Sequence, residues 1–170
     1  METELKFEVT DPGSLRARLG QLGVVLGEEV PEDNRLYDTP SAGLRERGLM
    51  LRLRSTPERL LLTVKKTLPG NRAKVRREEE VELGCSLREA ERLLALLGLV
   101  RRFRYEKVRS SGNLGEVVVC LDRLDIGCFL EIEARSEKEV LEAAAILGFD
   151  PGSGITDSYP GLISGKPEER

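Results

Sequence analysis

Histidine is absent from the chain, which excludes imidazole general bases, Ser-His and Cys-His nucleophile systems, and histidine-ligated metals. Any metal site must therefore be built from oxygen ligands, which selects Mg²⁺, Mn²⁺ or Ca²⁺. Cysteine is scarce: Cys85, Cys120 and Cys128 are widely spaced and form no C-x-x-C. Neither a disulfide framework nor a zinc site is expected, and reduced intracellular thiols fit better. No apolar run is long enough to span a bilayer, and charge from Glu2 onward speaks against a signal peptide. The expected location is cytoplasmic, with no membrane partner. The chain also lacks an excess of one charge, because its 27 basic and 30 acidic residues nearly cancel. Neutralising the phosphates of a nucleic acid calls for a clearly basic surface, so no nucleic-acid partner is expected, and a smaller polyanion would have to be met by a local basic cluster.

What the chain does contain is periodicity. Over residues 2–9, Glu2, Glu4, Lys6 and Glu8 alternate with Thr3, Leu5, Phe7 and Val9, the period of a strand. The same period predicts strands over 49–55, 59–66, 73–83, 100–110, 115–123 and 129–134, and an extended segment from Val24 past Pro31 to Pro40. Asp125-Ile-Gly127 is the expected connection between the last two strands. Helices are predicted over 12–22, capped by Asp11 or Ser14 and stopped by Gly23, and from the Ser86/Glu89 capping box to Gly98. A third is predicted from Ser136 to about Leu147, before Gly148. Turn chemistry marks Asp38–Gly43 and Pro69-Gly-Asn71, a short helical turn is expected at 44–48, and another near Tyr159 to Ile163. At 170 residues, with no repeat, linker or low-complexity segment, this reads as one α+β domain over residues 1–164 with a flexible tail over 165–170. Its antiparallel sheet would carry helices on the apolar face.

The other face is charged. By strand phase it gathers Glu2, Glu4, Glu78, Glu80, Asp122, Glu131 and Glu133 with Lys6, Arg52, Arg54, Lys65, Lys74, Arg76, Lys107 and Arg109. For any one strand a solvated face is the commoner outcome. Here acids and bases recur at i, i+2 in nearly every strand, where a solvated sheet would carry Thr, Ser and Gln. Carboxylates at i and i+2, such as Glu2/Glu4 and Glu131/Glu133, lie about 7 Å apart along a strand and can share one cation or serve two neighbours. Converging Arg and Lys need an anion in turn, and the guanidinium fork suits phosphate oxygens. A metal-bound polyphosphate satisfies both demands.

Glu2-x-Glu4-x-Lys6 resembles the E-x-E-x-K signature of the CYTH superfamily, which groups class IV adenylyl cyclases, thiamine triphosphatases and inorganic triphosphatases. The later motifs follow in family order: Tyr37-Asp-Thr-Pro40, Leu51-Arg-Leu-Arg54, Leu62-Thr-Val-Lys65, Arg76-x-Glu78-x-Glu80, Lys107-x-Arg109, Leu121-Asp122 and Gly127-x-Phe-Leu-Glu-Ile-Glu133. The resemblance spans about residues 1 to 163, and Leu121–Glu133 is most similar to the class IV cyclase branch. That branch often carries an acid where this chain has Asn34. The resemblance implies an antiparallel β-sheet closed into a triphosphate-tunnel-type barrel with helices packed on the outside. It further implies metal ligation of Mg²⁺ or Mn²⁺ by Glu2, Glu4, Glu78, Glu80, Asp122, Glu131 and Glu133. The implied triphosphate clamp is Lys6, Arg52, Arg54, Lys65, Lys74, Arg76, Lys107 and Arg109, and the implied catalytic residues are Lys6, Glu80 and Glu133. Tyr37 and Tyr159 are expected to pack, and Asp38-Thr-Pro40 to shape a turn. The expected activity is metal-dependent turnover of a small-molecule triphosphate by a monomer or homodimer, with hydrolysis ahead of cyclisation of ATP to cyclic AMP and pyrophosphate. A binding module without turnover is a further alternative.

Overall fold

A computed structural model describes residues 2–69 and 72–165. Gly70 and Asn71 of the expected turn and residues 166–170 of the expected tail lie outside them. Eight strands are present: β1 (Glu2–Glu8), β2 (Val30–Asp38), β3 (Leu49–Ser55), β4 (Leu60–Leu68), β5 (Lys74–Glu82), β6 (Val100–Leu114), β7 (Val117–Leu124) and β8 (Gly127–Ala134). They pair in the order β1-β5-β4-β3-β2-β6-β7-β8, and the antiparallel sheet closes on itself. The helices are α1 (Pro12–Gln21), α2 (Gly43–Glu46), α3 (Leu87–Leu96), α4 (Glu137–Ile146) and α5 (Tyr159–Ser164), with a 3-10 turn at Pro151–Ser153. They pack outside the sheet, as the fold class anticipated. No helix among the described residues is long and apolar enough to cross a membrane.

Local chemistry sets the helix starts. The Asp11 carboxylate accepts from Ser14 N at 3.0 Å ahead of Pro12, and the Ser86/Glu89 box is closed in both directions. Ser136 caps α4 through Glu139 N, and Ser158 caps α5 ahead of Pro160. The three longer helices end at Gly23, Gly98 and Gly148, where the spacing placed them.

Contacts within the chain define two compact units, Met1–Glu29 with Leu68–Val75 and Lys107–Arg170, and Val30–Thr67 with Arg76–Glu106. In the first, Leu5, Phe7, Val119, Leu130 and Ile132 of β1, β7 and β8 pack with Leu15 and Leu19 of α1 and Val140, Ala143 and Ala144 of α4. In the second, Leu51, Leu53 and Leu60 pack with Tyr37 and with Ala90 and Leu94 of α3. Each fully buried leucine contributes about 2 kcal/mol of transfer free energy.

The structure corrects two strand boundaries. The strand expected over 100–110 continues to Leu114, and its partner begins at Val117 in place of Gly115. Ser110-Ser-Gly-Asn113 has turn composition, yet it is laddered against Val118–Leu121, and the reversal falls at Gly115-Glu116. Gly112 is needed there for space. A Cβ at this position would lie 2.6 Å from the Val25 carbonyl oxygen and 2.9 Å from Val24 Cγ1. Its absence lets residues 24–27 lie along β6, where Gly27 N donates to Ser111 O at 2.8 Å and Ser110 Oγ to Gly27 O at 2.6 Å. The extended segment after Val24 therefore becomes a strand only from Val30.

Candidate functional site

In the first unit the register of β1, β7 and β8 assembles a cluster of charges. Antiparallel pairing sets Glu4 opposite Glu133 and Lys6 opposite Glu131, and β6 sets Arg109 opposite Asp122. Because side chains alternate along each strand, all of these share one face. That face is not solvated: Glu4 and Lys6 are each 2% exposed, Asp122 0%, Lys107 4% and Glu131 5%. β1 is thus buried on both sides, with Leu5 and Phe7 in the apolar core.

Bases stand between the acids. Lys6 Nζ lies 2.9 Å from Glu4 Oε1 and 3.1 Å from Glu131 Oε1. Arg109 grips Asp122 with two parallel donors, Nε to Oδ1 at 2.7 Å and Nη2 to Oδ2 at 2.6 Å, and it also pairs with Glu131 and with Glu133 Oε1 at 3.3 Å. Lys107 Nζ reaches Asp122 Oδ2 at 3.0 Å. The two glutamates of β8 differ in consequence. Burial works to raise the Glu131 carboxyl, but Lys6, Arg109 and Lys107 outweigh it and hold the group well below the usual carboxylate range. Glu133 is pushed up to about 7, chiefly by burial. Arg109 opposes that rise, and the negative charges of Glu131, Glu2 and Glu4 add to it. Burial also works against the Arg109 charge, which Asp122 and Glu131 more than restore. Around Glu133 negative charge is in surplus. Cys120, on β7 beside this cluster, has its thiol pushed up to about 12 by burial, so it stays neutral.

The second unit carries its own cluster on β3, β4 and β5. Lys65 Nζ pairs with Glu78 Oε2 at 2.5 Å, and Arg54 Nη2 contacts both oxygens of Glu80 at 3.0 and 3.1 Å. Thr63 Oγ1 donates to Glu80 Oε2 at 2.6 Å, and Arg52 Nη2 stands 3.8 Å from Glu78 and 3.7 Å from Glu80. Burial works to lower the Arg52 pKa, yet Tyr105, Glu78, Glu32 and Glu80 raise it overall. The Nε atoms of both Arg52 and Arg54, and Oδ1 of the fully buried Asn34, are buried without a hydrogen-bond partner. A buried donor left unsatisfied costs about 1–3 kcal/mol, and an acceptor such as a phosphate oxygen would relieve it.

Lys74 and Arg76 are buried at the start of β5, Lys74 in the first unit and Arg76 in the second. Glu2 is half-buried, and exposure grows along β5 so that Glu80 lies at an open margin. Among the described residues no three acids stand ready-made around a cation position. The donor set, carboxylate oxygens with no imidazole, nonetheless suits Mg²⁺ or Mn²⁺, and the surplus negative charge at Glu133 suits a cation.

Two contributors escaped the sequence reading. Glu32 is buried and meets Arg54 at 3.5 Å; its place two residues before Asn34 on β2 was the available signal. Tyr159, expected only to pack, sends its hydroxyl to Asp122 Oδ2 at 2.7 Å. Periodicity offered no signal for it, because it belongs to a short segment after the last strand.

The family model for the CYTH domain matches residues 1–159. No curated protein matches the chain. Among solved structures, a candidate adenylate cyclase from Vibrio parahaemolyticus is 25% identical, with 96% of this chain and 97% of that one covered and a TM-score of 0.83. A protein of Pyrococcus horikoshii is 24% identical, with 95% and 99% covered and a TM-score of 0.81. A candidate adenylyl cyclase from Hippeastrum, described as having a dominant triphosphatase activity, is 17% identical, with 98% and 97% covered and a TM-score of 0.69.

Proposed function

The chain belongs to the CYTH domain family, and on that premise we propose that it is a divalent-cation-dependent enzyme that hydrolyses a nucleoside, thiamine or inorganic triphosphate. The observation that carries this reading is the alternating cluster of buried Glu4, Lys6, Lys107 and Glu131 with half-buried Arg109 and Glu133, in which desolvation and like charge push Glu133 up to about 7. Burying so many charges is costly even when they pair with one another, and a ligand that binds both signs would offset part of that cost. A cation beside Glu2, Glu4, Glu131 and Glu133 would offset the acids of the first unit, and one beside Glu78 and Glu80 those of the second. The ammonium and guanidinium groups would then be available to phosphate oxygens.

In this reading Lys6, Lys74, Lys107 and Arg109 of the first unit, and Arg52, Arg54, Lys65 and Arg76 of the second, bind phosphate oxygens. The partnerless Nε atoms of Arg52 and Arg54 support that role. When bound, the cation supplies neutralisation of phosphate charge and acidifies the nucleophile. The chain's own residues orient the triphosphate and hold its charge, which is most of what phosphoryl transfer requires. Asp122, saturated by Arg109, Lys107 and Tyr159, serves by fixing those bases. Glu133, raised by burial and by its acidic neighbours in the metal-free protein, would be held ionised by the cation beside it and so serve as one of its oxygen donors.

The likeness to the Vibrio parahaemolyticus protein favours a second reading, cyclisation of ATP with release of pyrophosphate. One experiment separates the two. The protein is incubated with Mg²⁺ or Mn²⁺ and ATP, thiamine triphosphate or tripolyphosphate, and orthophosphate, pyrophosphate and cyclic AMP are resolved. Orthophosphate, lost on chelation and in Glu4→Gln and Glu133→Gln, is the expected result; cyclic AMP with pyrophosphate would replace hydrolysis by cyclisation.

A further inference from the structure

Tyr159 opens α5 and is 4% exposed. Its hydroxyl donates to Asp122 Oδ2 at 2.7 Å, the oxygen that also accepts from Lys107 Nζ and Arg109 Nη2. Its ring lies 5.4 Å from Lys6 Nζ and 5.2 Å from Lys107 Nζ, within the range of cation–π attraction, and meets Phe129 edge-on at 5.6 Å. A single phenol therefore touches one acid and two ammonium groups of the cluster. Its segment is tied to the same strand, because Ile155 exchanges both backbone hydrogen bonds with Lys6, at 3.1 and 2.8 Å.

We infer that Tyr159 is a positioning residue for triphosphate binding, holding Asp122 by its hydroxyl and the ammonium groups of Lys6 and Lys107 by its ring. The inference rests on the triphosphate reading above. Asp122 Oδ2 shares three donors; without the phenol it draws Lys107 and Arg109 more tightly to itself and away from an incoming anion. The ring keeps water from one side of each ammonium group and holds it in place beside its acids. A residue that only filled space would need the ring and not the hydroxyl.

Tyr159→Phe keeps the ring and the Phe129 contact and removes the O–H. Titration calorimetry with tripolyphosphate and Mg²⁺ should show Kd weakened about tenfold in Tyr159→Phe and about a hundredfold in Tyr159→Leu, the scale of one lost charge-assisted hydrogen bond and of that bond together with the two cation–π contacts. KM should rise by a similar factor in Tyr159→Phe with kcat changed less, and Tm should stay within a few degrees of wild type. Because the chain has no tryptophan, tyrosine absorbance is readable. Tripolyphosphate should perturb it in wild type and not in Tyr159→Phe. Unchanged Kd and KM in Tyr159→Phe, or no tyrosine perturbation in wild type, overturns the inference, and unchanged binding in Tyr159→Leu does so should the Phe variant misfold. Lys107→Ala separates the two levels. If it binds tripolyphosphate as wild type does, the triphosphate reading fails; if it loses binding while Tyr159→Phe does not, only the role of Tyr159 falls.

Discussion

Arg109 is the residue on which the first unit's charge balance turns, since it contacts Asp122, Glu131 and Glu133 at once. Removing one partner from a buried ion pair leaves the other uncompensated and typically costs about 3–5 kcal/mol. Arg109→Ala should lower stability by about that amount in urea unfolding, more than a truncation of the exposed Arg77, whose pair with Glu79 is solvent-screened. If Glu131 and Glu133 are cation donors, millimolar Mg²⁺ should recover part of the lost Tm. A Tm that Mg²⁺ leaves unmoved counts against the proposed ligands.

At the scale of elements, the turn between β2 and α2 depends on one carboxylate. Asp38 accepts from Thr39 N and Leu44 N through Oδ1, at 2.7 and 2.8 Å, and from Arg45 N through Oδ2 at 3.1 Å. Burial works against its charge, but these three N–H groups outweigh it and lower its pKa below 3.8. A depressed folded pKa contributes stability above the unfolded value, and that contribution is lost as pH falls through the folded one. Asp38→Ala should therefore cost about 2 kcal/mol at neutral pH, with the gap to wild type closing in denaturant titrations carried below about pH 4, near the unfolded value. A gap independent of pH would mean that the carboxylate charge is not what stabilises the turn. On β6, Gly112→Ala sets a methyl against the Val25 backbone, which cannot rotate away, so a loss of about 1–3 kcal/mol is expected by thermal unfolding. Wild-type stability in that variant would show that residues 24–27 can lift off the strand.

For the molecule as a whole, the stretch after α4 matters more than its composition suggests. Deleting residues 150–170 removes the Ile155 pairing with Lys6 and the Tyr159 contacts with Asp122, Lys6 and Lys107. Lower Tm in calorimetry and loss of tripolyphosphate binding are expected; a truncated chain that binds normally would confine this stretch to a peripheral role. The sequence marked in it only a short helical turn near Tyr159 to Ile163, because its importance lies in contacts with residues more than thirty positions away, such as Tyr159 with Asp122. By contrast, the β1 alternation, the Ser86 and Ser136 caps, the glycine stops and the charge types on each strand face were legible, being local properties with periods of two or about 3.6 residues. The sequence by itself determined which residue types share a face and where helices begin and end. Only the tertiary structure decided that the charged face is buried, that Lys6 and Arg109 stand between the acids, and that Glu133 is left with surplus negative charge. Those outcomes follow from strand register and burial, which depend on partners far along the chain and not on any local pattern.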